Sequence, residues 1–158
     1  MFAGDFWVVA FLREGGWWGL QNEGGGGGVD GVDIDAIEGW DIEADAGDVV
    51  VAVIDSGIHY SHEDLAGNVW VNTGEIAGNG IDDDGNGYVD DVHGINAVTG
   101  SGDPMDDHGH GTHVAGTIGA EGNNGLGLTG VAWEVQLMGL KFLNASGSGL
   151  ISDAIECL

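Results

Sequence analysis

Three histidines stand close together in the second half of the chain. His108, His110 and His113 lie in the run Asp-Asp-His-Gly-His-Gly-Thr-His-Val-Ala-Gly-Thr-Ile-Gly, residues 106–119. From Thr112 onward the residues are small, apolar or β-branched. Glycine weakens a helix by about 1 kcal/mol per position relative to alanine, so repeated glycines need a packing reason. They therefore predict a buried helix whose backbone lies close to neighbouring strands. A helix that begins near His110 places this imidazole at its N-terminal end, with His113 one turn further along the same face.

The histidine spacing alone is compatible with three kinds of chemistry. The histidines could be incidental polar groups in a loop before a core helix. They also fit the pattern H-x-H-x-x-H of zinc-binding metallo-β-lactamase-like hydrolases, since neutral imidazoles are good zinc ligands. Against that interpretation, Thr112 stands where those hydrolases have an aspartate. In the third interpretation His110 is a general base that a carboxylate from another part of the chain orients.

A candidate for that carboxylate follows the most apolar stretch of the chain. Residues 49–54 are six consecutive apolar residues, mostly β-branched, and predict a strand buried on both faces of a parallel sheet. The strand leads into Asp55, Ser56 and Gly57. Open α/β sheets place their sites at the carboxyl ends of strands, so Asp55 is a candidate site residue. An aspartate that only caps a turn is the alternative.

A second candidate site is the acidic loop, which we define as residues 79–91. Its pattern matches a calcium loop of EF-hand type and predicts oxygen ligands for a hard cation. The predicted ligands, in order, are Asp82, Asp84, Asn86, the carbonyl of Tyr88, and Asp90. The twelfth position is His93 where the pattern has glutamate, so Asp91 or a distant residue must supply the last ligand. A solvated acidic loop without a cation is the alternative.

Composition and charge limit the possible partners. The 158 residues suffice for one domain with a core. There are 27 acidic residues against Arg13 and Lys141, giving a formal net charge of −25. Such a charge disfavours nucleic acid and anionic membrane as partners and favours bound divalent cations or a salty environment. The single cysteine, Cys157, excludes an internal disulfide.

The remaining segments complete an α/β pattern. Residues 1–29 form a poorly defined glycine-rich segment, in which 24–28 predict a flexible linker and 17–20 predict a contact on the outside of the core. Residues 30–158 form one domain. Within it we expect a short helix packed by Ile37 and Trp40, a buried strand over 135–143, and a helix over 150–158. This order predicts a parallel sheet.

Two of these segments together resemble one protein family. Val-Ala-Val-Ile-Asp-Ser-Gly at 51–57 and His-Gly-Thr-His-Val-Ala-Gly-Thr at 110–117 are similar to the signatures of subtilisin-like serine proteases (subtilases), of the calcium-dependent bacterial type. The resemblance runs from about Asp33 to the end of the chain. It implies a subtilisin-like parallel sheet flanked by helices, a truncated three-layer α/β/α fold. It also implies that Asp55 and His110 are the aspartate and the general base of an Asp-His-Ser triad, and that His113 is structural.

The resemblance implies further site residues. A strong calcium site would use Asp64, the side chain of Asn124 and the carbonyls of Leu126 and Leu128. Leu143 would line a substrate pocket. The segment Gly147, Ser148 and Gly149 would pair with a peptide substrate held in extended form.

The nucleophile of the family is missing from these residues. No Gly-Thr-Ser-Met-Ala motif is present, and no propeptide or signal peptide is recognisable. We therefore expect the N-terminal part of a secreted, monomeric, calcium-stabilised serine endopeptidase that acts on polypeptides, a part that is catalytically incomplete by itself. The alternatives are a non-catalytic acidic calcium-binding module and a zinc hydrolase that uses His108, His110 and His113.

Overall fold

The fold is known from a computed structural model, which describes residues 19–158. Within these residues three strands and three α-helices follow one another along the chain. They are α1 (Ala36–Trp40), β1 (Asp45–Asp55), β2 (Gly94–Asn96), α2 (His110–Gly119), β3 (Glu134–Lys141) and α3 (Ile151–Glu156). Single turns of 3-10 helix occupy Gly25–Gly27 and Ala66–Asn68.

The three strands form one parallel sheet in the order β1-β3-β2. At its carboxyl edge Asp55 of β1 and Asn96 of β2 are both register partners of Lys141, the last residue of the central strand β3. This arrangement confirms the predicted α/β fold with a parallel sheet and helices. It also brings the ends of all three strands to one place, which is where sites in such sheets lie.

The prediction that β1 is buried on both faces was wrong. The side chains of Val49 and Val50 are 51% and 44% exposed, and Val53 is the one fully buried residue of the strand. The physical reason is the place of β1 at one edge of the described sheet. In the described sheet β1 pairs on one side only, and the main core covers the strand near Val53.

The main core lies between α2 and the sheet. Ala115 and Leu137 are fully buried, together with Ile58 and Leu65 from the loop after β1. A Cβ at Gly119 would lie 2.3 Å from Cγ1 of Val135, so only glycine allows this approach of helix to strand. Gly111 and Gly119 of α2 therefore serve close packing, whereas a Cβ at Gly116 would meet nothing within 4 Å.

The side chain of Asn22 is hydrogen-bonded to the glycine-rich segment 24–28 and to the residues after it, and the flexible linker stays a prediction. The Asn22 Nδ2 amide donates to the carbonyls of Val29 (2.8 Å) and Val32 (3.1 Å). Its Oδ1 accepts the N–H of Gly24 (3.0 Å). One asparagine therefore supplies the hydrogen bonds that a run of glycines cannot make with side chains. Of the residues predicted to contact the core from outside, Leu20 is buried and Trp17 and Trp18 lie outside the described residues.

The predicted short helix packs through Trp40. Its ring lies 5.2 Å from the ring of Trp133, and its Nε1 donates to the carbonyl of Val131 (2.8 Å). Ile37 is half-buried. Within residues 19–158 no helix combines the length and the apolar character needed to cross a bilayer.

Candidate active site

Asp55 and His110 meet at the carboxyl edge of the sheet. Asp55 is the last residue of β1 and His110 is the first residue of α2. The Nδ1 atom of His110 lies 2.8 Å from Oδ1 and 2.9 Å from Oδ2 of Asp55. The Asp55 side chain is 13% exposed, whereas that of His110 is 59% exposed. The carboxylate is thus shielded, and the imidazole is open to an approaching group.

Ser56 links the ends of the two elements. Its N–H donates to Oδ1 of Asp55 (2.7 Å) and helps to orient the carboxylate. Its fully buried hydroxyl accepts the N–H of Gly111 (2.9 Å) and donates to Oδ1 of Asp106 (2.9 Å). The residue after Asp55 is therefore bonded to the residue after His110, which sets the distance between the two candidate catalytic side chains.

Asp106 anchors the beginning of α2. Its carboxylate accepts the backbone N–H groups of His108, Gly109 and Thr112 and the hydroxyl of Thr112. Burial alone would raise the pKa of Asp106, but these hydrogen bonds outweigh it and hold the pKa well below its usual range. Since the residue before the helix is Gly109, which has no capping side chain, Asp106 does the work of a cap from further upstream. Sequence reasoning missed this role, although an aspartate shortly before a helix start is a recognisable capping signal.

The loop after β3 is fixed to Asp55 through the backbone. The N–H groups of Phe142 and Leu143 both donate to the carbonyl of Asp55, at 2.9 and 3.1 Å. The predicted substrate-binding residues of this loop are half-buried (Leu143) or exposed (Gly147, Ser148, Gly149). A Cβ at Gly147 would lie 3.0 Å from Nε2 of His108. The structure therefore places this exposed loop next to the segment that leads into His110.

The predicted strong calcium site gathers around a buried carboxylate. Asp64 is 4% exposed, and its oxygens accept hydrogen bonds from the Asn124 amide (2.9 Å) and the N–H of Leu128 (2.8 Å). The N–H of Leu126 donates to Oδ1 of Asn124 (2.9 Å). A Cβ at Gly127 would lie 2.2 Å from Oδ2 of Asp64, so the loop runs directly over the carboxylate. The four residues are neighbours, but Leu126 and Leu128 make these contacts through their N–H groups, and the use of their carbonyls as calcium ligands stays a prediction.

The acidic loop closes around Asp82. Its carboxylate accepts the N–H groups of Gly85, Asn86 and Gly87. The Asn86 amides also donate to Asp84. Three of the five predicted ligand residues, Asp82, Asp84 and Asn86, are therefore grouped.

The other two residues with predicted ligand atoms, Tyr88 and Asp90, make different hydrogen bonds, and their role as ligands stays a prediction. The Asp90 carboxylate accepts the N–H groups of Asn79 and Gly80. The N–H of Tyr88 donates to Oδ1 of Asn86, and its hydroxyl donates to Glu156 of α3. Burial and the Glu156 carboxylate raise the pKa of Tyr88 to about 12. The structure thus ties Tyr88 to α3 and Asp90 to the start of the loop.

A carboxylate that sequence reasoning did not name completes the acidic group. Oxygens of Glu75, Asp82 and Asp84 all lie within 4.8 Å of one another, the one group of three acidic, histidine or cysteine residues in 19–158 that does so. Glu75 also accepts the N–H groups of Asp83 and Asp90. It stands outside the loop pattern, so only its position in space identifies it. Clustered carboxylate oxygens suit a hard cation such as calcium.

The histidines do not form such a group. The rings of His108 and His110 lie 6.3 Å apart at an angle of 59°, and Nδ1 of His110 faces Asp55. His108, His110 and His113 are not among the donor groups that converge within the described residues. The geometry favours the interpretation in which a carboxylate orients His110.

Comparison with known proteins agrees with this geometry. Residues 46–157 match the sequence pattern of the subtilase family. The chain is 51% identical over 109 residues to subtilisin-like protease 1 of Plasmodium vivax, covering 68% of this chain and 17% of that protein. It is 33% identical over 119 residues to the thermophilic serine proteinase of Bacillus sp. (strain AK1), covering 75% and 24%. The chain therefore spans about a sixth to a quarter of the length of these relatives.

A solved structure shares the fold. The Aeromonas sobria serine protease, crystallised in complex with a chaperone, matches with a TM-score of 0.64 and 30% identity, over 89% of this chain and 21% of that one. The two motifs, the parallel sheet and the extent of the family match point the same way. The chain belongs to the subtilase family.

Proposed function

We propose that this chain supplies the Asp–His part of the catalytic site of a serine endopeptidase. The observation that carries the proposal is the contact of His110 Nδ1 with both oxygens of Asp55, at 2.8 and 2.9 Å, on an imidazole that is 59% exposed. Membership of the subtilase family supports it. The nucleophilic serine comes from outside these 158 residues.

The pair performs proton transfer. Asp55 accepts the Nδ1–H of His110, which fixes the tautomer that leaves Nε2 free as a base. Nε2 takes the proton of the serine hydroxyl during attack on the peptide carbonyl and returns it to the leaving amine. The Asp55 carboxylate stabilises the imidazolium formed between these steps. General base assistance of this kind typically contributes about 10²–10⁴-fold to the rate.

Polypeptides are the proposed substrates. The segment formed by Gly147, Ser148 and Gly149 is exposed and lies beside His108, two residues before His110. An extended peptide that pairs with this segment would pass in front of the imidazole. Leu143, which is bonded to Asp55 through its N–H, would line the pocket at the end of this segment.

Calcium is the proposed stabilising ligand at two places. The first site uses Asp64, Asn124 and the carbonyls of Leu126 and Leu128. The second site uses Asp82, Asp84 and Asn86, with Glu75 as the carboxylate that replaces the missing twelfth ligand. A bound divalent cation would also offset repulsion among the carboxylates, which matters in a chain with a net charge of −25.

The acidic loop also fits a second candidate, a non-catalytic calcium-binding module. It would be favoured if the reading frame that contains this chain held no Gly-Thr-Ser segment. A zinc hydrolase using His108, His110 and His113 would instead bind zinc in a 1:1 ratio, which metal analysis measures.

For the peptidase we propose an extracellular, monomeric protein, as the resemblance to secreted subtilases implies.

Active-site labelling and peptide hydrolysis by the longer protein test the proposal. A protein that contains this chain and the serine segment should hydrolyse a peptide substrate and react with a fluorophosphonate probe. His110→Ala and Asp55→Asn should lower kcat by about 10⁴-fold or more. His59→Ala is the matched control, since the His59 ring is exposed and lies against the ring of His62. Full activity in His110→Ala would refute the proposal.

A further inference from the structure

Lys141 is the one lysine or arginine in residues 19–158, because the other basic residue, Arg13, lies outside them. It ends the central strand β3, between its register partners Asp55 and Asn96. The residue is 3% exposed. A buried ammonium is costly unless it is paired and fully hydrogen-bonded, so its partners show what this burial achieves.

The ammonium has three acceptors, one for each of its hydrogens. Nζ donates to the carbonyl of Ser56 (2.6 Å), to Oδ1 of Asp107 (2.6 Å) and to the carbonyl of Leu143 (2.9 Å). Each acceptor belongs to a different segment of the candidate active site. Ser56 follows Asp55, Asp107 precedes His110, and Leu143 begins the loop 143–149.

The backbone of Leu143 is hydrogen-bonded through both its N–H and its carbonyl. Its N–H donates to the carbonyl of Asp55 (3.1 Å), and its carbonyl accepts from Lys141. The loop downstream of it is exposed from residue 144 onward, so burial contributes little to its position. The hydrogen bonds of Phe142 and Leu143 to the Asp55 carbonyl, and that of Lys141 to the Leu143 carbonyl, therefore connect this loop to the Asp55–His110 pair.

We propose that Lys141 is a positioning residue, which holds the substrate-binding loop in register with Asp55 and His110. This rests on the proposed function, since the role of loop 143–149 in substrate binding is part of it. Lys141 acts through the carbonyls of Ser56 and Leu143 and the carboxylate of Asp107, and it is itself buried. Its loss should loosen the loop more than the sheet, and it should weaken substrate binding more than the chemical step.

Hydrogen exchange of the 158-residue chain tests the proposal without activity. In Lys141→Met the amide of Leu143 should exchange about tenfold faster, relative to amides in the middle of β3. In Lys141→Arg, which keeps the charge and its pairing with Asp107 but spreads the donors over a plane, we expect an intermediate increase of about threefold. If Lys141→Met does not fold, the arginine variant carries the test.

A merely stabilising role would give a different pattern. The amides of Leu143 and of β3 would then change by the same factor in both variants, and this result would overturn the proposal. In the longer peptidase Lys141→Met should raise KM about tenfold, with kcat changed by less than about threefold. An active His110→Ala enzyme would refute the proposed function, whereas equal exchange at Leu143 and β3 would refute the role of Lys141, so the two failures are distinguishable.

Discussion

Gly111 of α2 lies against Gly57 of the turn after β1. A Cβ at Gly111 would lie 2.1 Å from the carbonyl oxygen of Gly57 and 3.1 Å from Cβ of Asp55. The first turn of α2 can therefore approach the end of β1 only because residue 111 has no side chain. This approach is what brings the imidazole of His110 to the carboxylate of Asp55.

Gly111→Ala should separate the pair. The new methyl group meets backbone and cannot be accommodated by a side-chain rotation, so the start of α2 must shift. We expect the free energy of unfolding to fall by about 3 kcal/mol, as for overpacked cores. Urea denaturation measures this, and loss of the His110–Asp55 contact should appear as a changed ¹⁵N shift of the His110 ring.

Gly116→Ala is the matched control in the same helix. A Cβ at Gly116 would have nothing within 4 Å. Because alanine is the better helix former, this variant should be more stable by about 0.5–1 kcal/mol. Equal destabilisation of both variants would contradict the close-approach explanation.

Asp106→Asn should remove an acid-sensitive part of the stability. The pKa of Asp106 lies below its ordinary value of 3.8 in the folded chain, so the ionised carboxylate stabilises the fold. This contribution is fully present above about pH 4 and is lost as the pH falls from there toward the lowered pKa. At pH 7 we expect Asp106→Asn to cost about 2 kcal/mol, because a carboxylate with several donors is replaced by an amide.

The comparison is made by urea denaturation at pH 7 and at pH 3. The difference between wild type and Asp106→Asn should shrink at the lower pH. Asp48→Asn, which changes the net charge equally at an exposed position of β1, should show a small effect at both pH values. A difference for Asp106→Asn that grows as the pH falls would contradict the role assigned to this carboxylate.

The elements that carry the catalytic pair were predictable because each has a strong local pattern. Six apolar residues before Asp55 indicate a strand, and the small residues after His110 indicate a buried helix. The strand β2, residues Gly94–Asn96, was not predicted, because three residues have no period and Gly94 has a left-handed φ of 120°. The exposure of β1 depends on its neighbours in the sheet, which no local pattern contains.

The contacts that hold the site together are long-range. Glu75 joins the acidic loop, the Ser56 hydroxyl bonds Gly111 and Asp106, and Lys141 reaches Asp107. The Ser56 and Lys141 contacts join residues that are far apart in the sequence, Glu75 lies just outside the loop pattern, and each residue type has many alternative uses. The sequence therefore indicates which residues do chemistry better than it indicates which residues position them.

Removal of calcium should lower the stability of the chain. A cation that binds only the folded state stabilises it by RT ln(1 + [L]/Kd), about 2.7 kcal/mol at a hundredfold excess over Kd. We expect EDTA to lower the Tm and added calcium to restore it, measured by thermal unfolding at constant ionic strength. An unchanged Tm in EDTA would contradict both proposed sites.

Two variants separate the sites. Glu75→Gln should abolish binding at the acidic loop, and Asp64→Asn should abolish binding at the loop over residues 124–128, so each should reduce the calcium stoichiometry from two to one in isothermal titration calorimetry. Asp30→Asn, an exposed carboxylate outside both loops, is the control and should leave the stoichiometry at two. Unchanged stoichiometry in Glu75→Gln would remove Glu75 from the proposed ligands.

The 158 residues alone should show no peptidase turnover. Without the nucleophile the covalent pathway is absent, even though Asp55 and His110 are in contact. Incubation with a fluorophosphonate probe followed by mass spectrometry should find no labelled serine. Labelling of Ser56, Ser148 or another serine of this chain, together with inhibitor-sensitive hydrolysis, would show that the nucleophile lies within it.

The most direct test of the Asp55–His110 pair is the tautomer of His110, read from the ¹⁵N shifts of its ring in the neutral form. The account predicts that the proton resides on Nδ1, bonded to Asp55, and that Nε2 is unprotonated and available as a base. In Asp55→Asn this preference should be lost, while the shifts of His59 stay unchanged. A neutral His110 with its proton on Nε2 in the wild-type chain would contradict the account, because Nε2 could then not accept a proton from a serine hydroxyl.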